Sequence, residues 1–415
     1  MLITEMYAPD GRRLAAGLSR SDSAIATTPC SGLPLHALIE HPVDALVVLE
    51  ENLAGAFDKS LNALWQEMPP GESAFIVLVP RREAPRIDPY YGDPVSSFLC
   101  SPGVFGEFLA LRRECSPRDI CFTLLQAIAS GEIDVDRLLV RQLPDTRRKA
   151  PPLAVRPKAL IMPHRGEPRY LGTALKYLFR TAGDSLTVRV GLDVEDISPY
   201  IDLASEYPAV EFFHASPAPV GPYVIRQELA ELSTEPLLSL QDSDDLSCHD
   251  RFTALSEALN ESGCDLAGSQ ELCLDEIRSL VNPVWYPTDA SAGLAICPNH
   301  ALLHATLMTR RHAFFESGGL STHHVFANDT QFTLRAFFSM KIRNADEFLY
   351  IRRRHSTSLT NAPETDHDNP IRHRLDAEWS GDFEAIKRGE MKLEDSSLRP
   401  MRREQPYRIE RLFLP

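Results

Sequence analysis

Between residues 158 and 245, four short apolar runs alternate with amphipathic stretches. Ala159–Met162, Thr187–Leu192, Val210–Phe213 and Leu237–Leu240 are too short for buried helices and read as buried strands. Arg169–Arg180 carries Leu171, Ala174, Leu175 and Leu178 at helical spacing, and Ile201–Glu206 and Val224–Leu232 read as further helices. Strands that alternate with helices predict a parallel sheet with right-handed crossovers and helices on both faces. The expected class is therefore α/β, doubly wound and Rossmann-type.

Ligands of such sheets bind beyond the carboxyl ends of the strands. Polar clusters stand at three of those ends: 163–167 (PHRGE), 193–196 (DVED) and 242–245 (DSDD). Asp242, Asp244 and Asp245 cannot be packed dry, because each ionised carboxylate needs a partner or a metal. At a strand end they can converge on one hard divalent cation, which prefers several oxygen ligands and could clamp the phosphates of a nucleotide. The alternative is an acidic turn in which Asp242 caps a helix starting near Ser247.

The rest of the chain sets limits. Its 415 residues suggest two or three domains, at about 100–200 residues each. The net charge of −15 argues against general nucleic-acid binding, which needs a basic field. No stretch approaches the roughly 18 apolar residues of a membrane helix, and MLITEMYAPDGRR lacks a signal pattern. A cytoplasmic location is expected. The eight cysteines form no CxxC pair and read as buried free thiols.

Residues 1–150 read as a smaller α/β accessory domain of unassigned role. Ala45–Leu49 and Ala74–Val79 are strands around a helix at Leu53–Glu67, which predicts a parallel pair. A polar loop follows at Arg81–Asp93, and a helix at Ser116–Gly131 with Ser116 as its N-cap. Gln142–Pro157 is charged and proline-rich and reads as a linker into the second domain, 151–360. Residues 361–415 form a helical tail, with apolar spacing over Ile371–Gly389. It could pack on the second domain, cover a binding site there or mediate a homodimer. His300 and His304 have the spacing of zinc ligands on a helix, but without a third ligand they read as structural.

Six segments, in order over about 159–360, carry a family resemblance: PHRGEPRYL, GLDVED, QDSDD with Arg251 after it, MTRRHAFFESGGL, NDTQFTLRAFF and RRRHSTSLT. Together they resemble the GT-A-fold, family-two-like nucleotide-sugar glycosyltransferases. The resemblance implies a metal-dependent, hexosyltransferase-type enzyme that moves a sugar from a UDP-linked donor to an acceptor hydroxyl with inversion. It implies Mn2+ or Mg2+ on Asp242, Asp244 and His355, with Asp242 also on the ribose. Asp193 would contact the base. Pro163, Arg165, Glu167, Ser243, Arg251 and Arg353 would line the donor site, and Gly318–Gly319 would let backbone approach the sugar closely. Asp329 would be the general base. His323 and His324 would lie near the acceptor.

The chain departs from the family in two places. His164 and Arg165 stand where an aromatic is common, which leaves base stacking to a guanidinium face. Asn328 replaces the usual acidic residue before Asp329. Other readings are an N-cap role for Asp329 and a solvated basic run at 352–354. At the level of the whole chain, the rivals are a nucleotidyltransferase of similar fold and a non-catalytic nucleotide-sugar binding module.

Overall fold

The computed structural model describes residues 71–111, 120–144, 157–181, 186–358 and 369–412, together with 6–7, 13–18, 45–48, 64, 68 and 69. Apart from Leu64, the helix expected at Leu53–Glu67 lies outside these, as do Ser116, the linker at 145–156 and the loop at 361–368.

The N-terminal sheet contains β1 (Met6–Tyr7), β2 (Arg13–Leu18), β3 (Ala45–Val48), β4 (Ala74–Pro80), β6 (Phe98–Cys100) and β7 (Arg137–Leu143), in the order β1-β2-β3-β6-β4-β7. The expected parallel pairing of β3 with β4 does not form. β6 lies between them, antiparallel to both. The physical reason is that a long crossover need not return to the adjacent position, and the apolar FLC run fills the gap. β4 takes β7 as its parallel partner instead. The loop expected at Arg81–Asp93 contributes β5 (Tyr90–Tyr91), which joins the edge of the larger sheet.

Helix α1 (Pro102–Leu111) precedes α2 (Ile120–Ala129, ICFTLLQAIA), in which eight of the ten residues are buried. A helix apolar on nearly every face must be covered on every side. One continuous core does this, joining Phe75, Val77 and Phe98 of the first sheet to Leu272, Leu274, Trp285 and Ile351 of the second. Arg81 also reaches Asp346 at 3.0 Å, and Arg141 reaches Asp250 at 2.7 Å. The two units expected to be separate domains therefore share their interior.

The larger sheet has eleven strands. At its centre β8 (Lys158–His164), β9 (Leu186–Leu192), β10 (Val210–Ser216) and β11 (Leu237–Leu240) are parallel, in the order β11-β8-β9-β10. α3 (Pro168–Phe179) and α4 (Ile201–Glu206) make the outward crossovers, and α5 (Pro222–Leu232) brings the chain back to the far side of β8. Winding reverses between β8 and β11, which is where such sheets open a crevice.

Beyond β11 the sheet is mixed rather than wholly doubly wound. β12 (Leu246–Ser247) precedes α6 (Arg251–Glu261), and β13 (Leu266–Asp275) and β14 (Leu280–Trp285) form a hairpin. After α7 (Ala290–Ile296) comes β15 (Met308–Arg310), antiparallel between β11 and β13. α8 (Arg311–Glu316) and α9 (Asn328–Ala336) lead to β16 (Ile342–Arg354), parallel to β13 and antiparallel to β12.

The tail is only half helical. α10 (Pro370–Lys387) buries Leu375, Trp379 and Phe383 in the core beside Phe332 of α9. The chain then crosses residues 317–322 and ends in β17 (Arg408–Arg411), antiparallel to β10. Among the described residues, no helix is long and apolar enough to cross a membrane.

Candidate functional site

The acidic turn leaves β11 at the switch point. α6 starts only at Arg251, so Asp242 caps no helix there. The turn is shaped from beneath by Arg251, which is fully buried. Its Nη1 donates to Gln241 Oε1 at 2.8 Å and to Ser247 Oγ at 2.9 Å. Its Nη2 donates to the carbonyls of Leu240 at 2.6 Å and Ala305 at 2.8 Å. A guanidinium used in this way holds the turn and cannot reach a donor, which corrects the expected role of Arg251.

Around the turn, the carboxylates separate in function. Asp244 Oδ2 lies 2.8 Å from Nε2 of His355, whose Nδ1 is 2.8 Å from Thr357 Oγ1. His355 follows the end of β16, and the pairing of β16 with β12 delivers it to the turn. Asp242 keeps 41% of its side chain exposed and is ion-paired with Arg226 of α5. Asp245 is buried and accepts from the Arg353 backbone N–H at 2.7 Å. Burial, Asp244 and Asp242 push its carboxyl well above the usual range. It is an anchor for β16.

α5 makes a second link one turn earlier. Tyr223 donates its hydroxyl to Asp329 Oδ1 at 2.8 Å. Asp329 sits in the first turn of α9, where the helix dipole favours negative charge. Ala327, at φ +64, holds the N-cap position, so Asp329 is not the cap. Burial works to raise the Asp329 carboxyl, but the Tyr223 hydroxyl and the Arg226 guanidinium oppose it, and the carboxyl lies below the usual carboxylate range. Asn328, buried beside it, donates to the His324 carbonyl at 2.6 Å and fixes the loop that carries His323 and His324.

The first-strand turn is tied to the acidic turn through His164. Its Nδ1 lies 2.7 Å from Ser243 Oγ, and burial lowers its pKa to about 4, so the ring is neutral. Pro163 lies within β8, whereas Arg165 is exposed and Glu167 pairs with Arg169 at 2.7 Å, both at the rim.

Several expected donor contacts are structural instead. Asp193 is buried, and its carboxylate accepts from the N–H groups of Val220 at 2.7 Å and Gly221 at 2.8 Å, clamping the turn into α5. Arg353 turns away, to Glu276 at 2.7 Å and over the Tyr170 ring at 4.5 Å. Arg352 and Arg354 likewise pair with Glu271 and Asp275, so the basic run is neither solvated nor aimed at a diphosphate. Gly318 and Gly319 have φ +91 and +64. A Cβ would meet Pro400 of the tail at Gly318 and Gln227 at Gly319, so the close approach is intramolecular. His300 and His304 share no helix: only His304 enters a short 3-10 turn.

Among the described residues, no group of three or more His, Cys, Asp or Glu stands arranged to hold a metal. The expected set of Asp242, Asp244 and His355 divides: Asp244 faces His355, and Arg226 holds Asp242. Sequence reasoning missed Tyr223, Arg226 and the placement of His304. The one available signal was that the helix before the acidic strand must return across the switch point.

No family model and no curated protein matches this chain. Among solved structures it is similar to residues 1–349 of S. aureus TarS in complex with UDP-GlcNAc, at 15% identity and a TM-score of 0.42, over 50% of this chain and 61% of that one. It is also similar to the mannosyltransferase PcManGT from Pyrobaculum calidifontis in complex with GDP-Man and Mn2+, at 12% identity and a TM-score of 0.40, over 59% of this chain and 69% of that one. The chain thus spans only about three fifths of the first of these. Overlap this partial leaves the site's own geometry to define the class: an α/β protein with an acidic turn at the switch point of a mixed sheet.

Proposed function

We propose that this chain is a glycosyltransferase that moves a sugar from a nucleotide-diphosphate donor, UDP-linked, to an acceptor hydroxyl with inversion. The observation that carries the reading is that α5 links Asp242 and Asp329 through Arg226 and Tyr223, with the Asp244–His355 pair in the same acidic turn as Asp242. The switch point of the sheet then carries acidic groups suited to a metal-bound diphosphate and, one turn of α5 away, a carboxylate suited to act as base.

Asp329 removes the proton from the acceptor hydroxyl. That oxygen forms its bond to the anomeric carbon as the carbon–oxygen bond to the diphosphate breaks, and the electron pair leaves with the nucleoside diphosphate. Asp329 is suited to this by being ionised and partly enclosed. Arg226 supplies positive charge beside Asp242, where charge accumulates on the leaving group. Arg165, at the rim, offers a guanidinium face to the base.

The chemistry of the donor set fits a cation shared with substrate. Mg2+ and similar ions are commonly held by one or two carboxylates together with substrate phosphates. Asp244 and His355 would hold Mn2+ or Mg2+. When bound, the ion neutralises charge on the leaving diphosphate.

The test is release or transfer of sugar from UDP-linked donors, with and without EDTA, in wild type and in Asp244→Ala. The expected result is loss of turnover in both cases. Turnover indifferent to chelator and to the substitution would remove the cation role, and absence of UDP and GDP binding would remove the transferase reading.

A further inference from the structure

α9 carries Asp329 in its first turn, and α5 carries Tyr223 in its own. One hydrogen bond of 2.8 Å joins the two side chains. A side chain at the start of a helix points where that start is aimed. The segments that enter α5 and α9 therefore decide whether the bond forms.

Residues 397–403 of the tail are tied to both helices. At α9, Gln331 Nε2 donates to the Ser397 carbonyl at 2.6 Å, and Arg335 Nη1 donates to the Leu398 carbonyl at 2.9 Å. On the loop that leads into α9, the Thr322 N–H donates to the Met401 carbonyl at 2.8 Å, and the Arg403 N–H donates to Thr322 Oγ1 at 2.9 Å. Just before α5, Arg403 Nη1 donates to the Val220 carbonyl at 2.8 Å.

Val220 is buried, and side chains from distant parts of the chain take both of its backbone groups. Asp193, just past β9, accepts from its N–H at 2.7 Å and from that of Gly221 at 2.8 Å. Arg403 takes its carbonyl from the other side. Tyr223 follows three residues later, so the aim of α5 is set jointly by the end of β9 and by the tail. Nε of Arg403 is buried with no hydrogen-bond partner among the described residues. A buried donor left unmet costs stability. Space-filling alone does not account for a guanidinium here, because a methionine of similar length would fill the gap without that cost.

We infer that residues 397–403 are a strap that holds α5 and α9 at a fixed separation, and that Arg403 is a positioning residue for the transfer. It acts through Val220 and Tyr223 on Asp329 rather than on the reacting atoms. The inference rests on the transferase reading, which makes Asp329 the base. It gives the tail a part in turnover.

The test uses the full chain. UDP release from UDP-glucose, UDP-galactose and UDP-N-acetylglucosamine is followed with Mn2+, and UDP binding is measured by calorimetry. Arg403→Met is expected to lower kcat about 10- to 100-fold, the scale on which a small misplacement acts, with donor KM and UDP affinity changed by less than about twofold. Arg403→Lys keeps a donor for the Val220 carbonyl and should recover most of the rate. In a Tyr223→Phe background, Arg403→Met should cost much less than in wild type, because the two act through one contact. Thr322→Val releases the Arg403 backbone with little change in size; it should lower kcat in the same way, and it decides the matter if Arg403→Met does not fold. Unchanged kcat in the folded variants, an equal loss of UDP affinity, or full additivity with Tyr223→Phe would overturn the strap and leave the transferase reading in place. If wild type releases no UDP from any donor, the transferase reading fails instead, and hydrogen exchange decides the strap. Amides 226–229 of α5 should exchange faster in Arg403→Met than in wild type, and equal exchange would overturn it.

Discussion

Nε2 of His355 and Oδ2 of Asp244 lie 2.8 Å apart across 111 residues of sequence. Strand pairing closes that gap: Leu246 stands opposite Ile351, so the residue just past β16 falls over the turn just before β12. A carboxylate and an imidazole brought together in this way can act on one ligand.

If they share a cation, removing either should weaken nucleotide binding only when metal is present. Asp244→Asn and His355→Ala should each lower UDP affinity in Mn2+ by roughly 10–100-fold, the scale on which metal-site contacts act. Calorimetry with and without EDTA reads the difference. Equal affinities in wild type and both variants would exclude the pair as ligands.

Asp329→Asn should reduce kcat by about 10²–10⁴-fold, the usual range for a lost general base, and leave the donor Kd unchanged. Tyr223→Phe tests the same group by its titration. The Tyr223 hydroxyl is one of the contacts that hold the Asp329 carboxyl down, so its removal should move the acid limb of the pH–rate profile upward. A limb that stays in place would mean that another group sets it.

Arg251 should respond as a structural residue. Arg251→Met removes the guanidinium donors to the buried Leu240 and Ala305 carbonyls and one of the two donors to Gln241 Oε1. Losses of this kind cost on the order of 3 kcal/mol or more, so denaturant unfolding should shift strongly. A fully stable variant with selectively weakened UDP binding would restore the donor role expected from sequence.

Acid should destabilise the fold through His164 and His304. Burial lowers their pKa values from 6.5 to about 4 and about 3. Unfolding raises both back toward 6.5, so the unfolded chain binds more protons. Their contribution is complete above pH 6.5 and is lost as pH falls toward 4 and 3, each group adding a slope of up to about 1.4 kcal/mol per pH unit. Unfolding free energies measured from pH 7 to pH 4 check this, and His304→Gln should flatten the slope. An unchanged slope would show that His304 does not titrate with folding.

The parallel centre of the large sheet was legible because its strands are short, apolar and buried on both faces, and because polar residues collect where they end. That Asp244 and His355 stand together, and that Asp329 opens a helix, followed from the same pattern: they sit where elements stop or start. What escaped was the direction of long side chains. Arg251 and Arg353 occupy the expected places in the chain, but one turns inward and the other toward Glu276, and spacing carries no information about either. Tyr223 and Arg226 sit in PYVIRQELAEL, an ordinary amphipathic helix whose importance comes only from what it crosses. The insertion of β6 between β3 and β4, and the strand at the end of the tail, depend on pairings that no local pattern encodes.

β17 has one last consequence. An unpaired strand edge is a template on which another chain can add, and natural sheets guard such edges with charge. β17 covers β10 and becomes the outermost strand in its place, with Arg408, Glu410 and Arg411 exposed along it. Self-association by strand addition would have to bury those charges at its seam. Charge along the tail strand thus disfavours edge-to-edge pairing, and replacing Arg408, Glu410 and Arg411 with β-branched apolar residues should raise self-association.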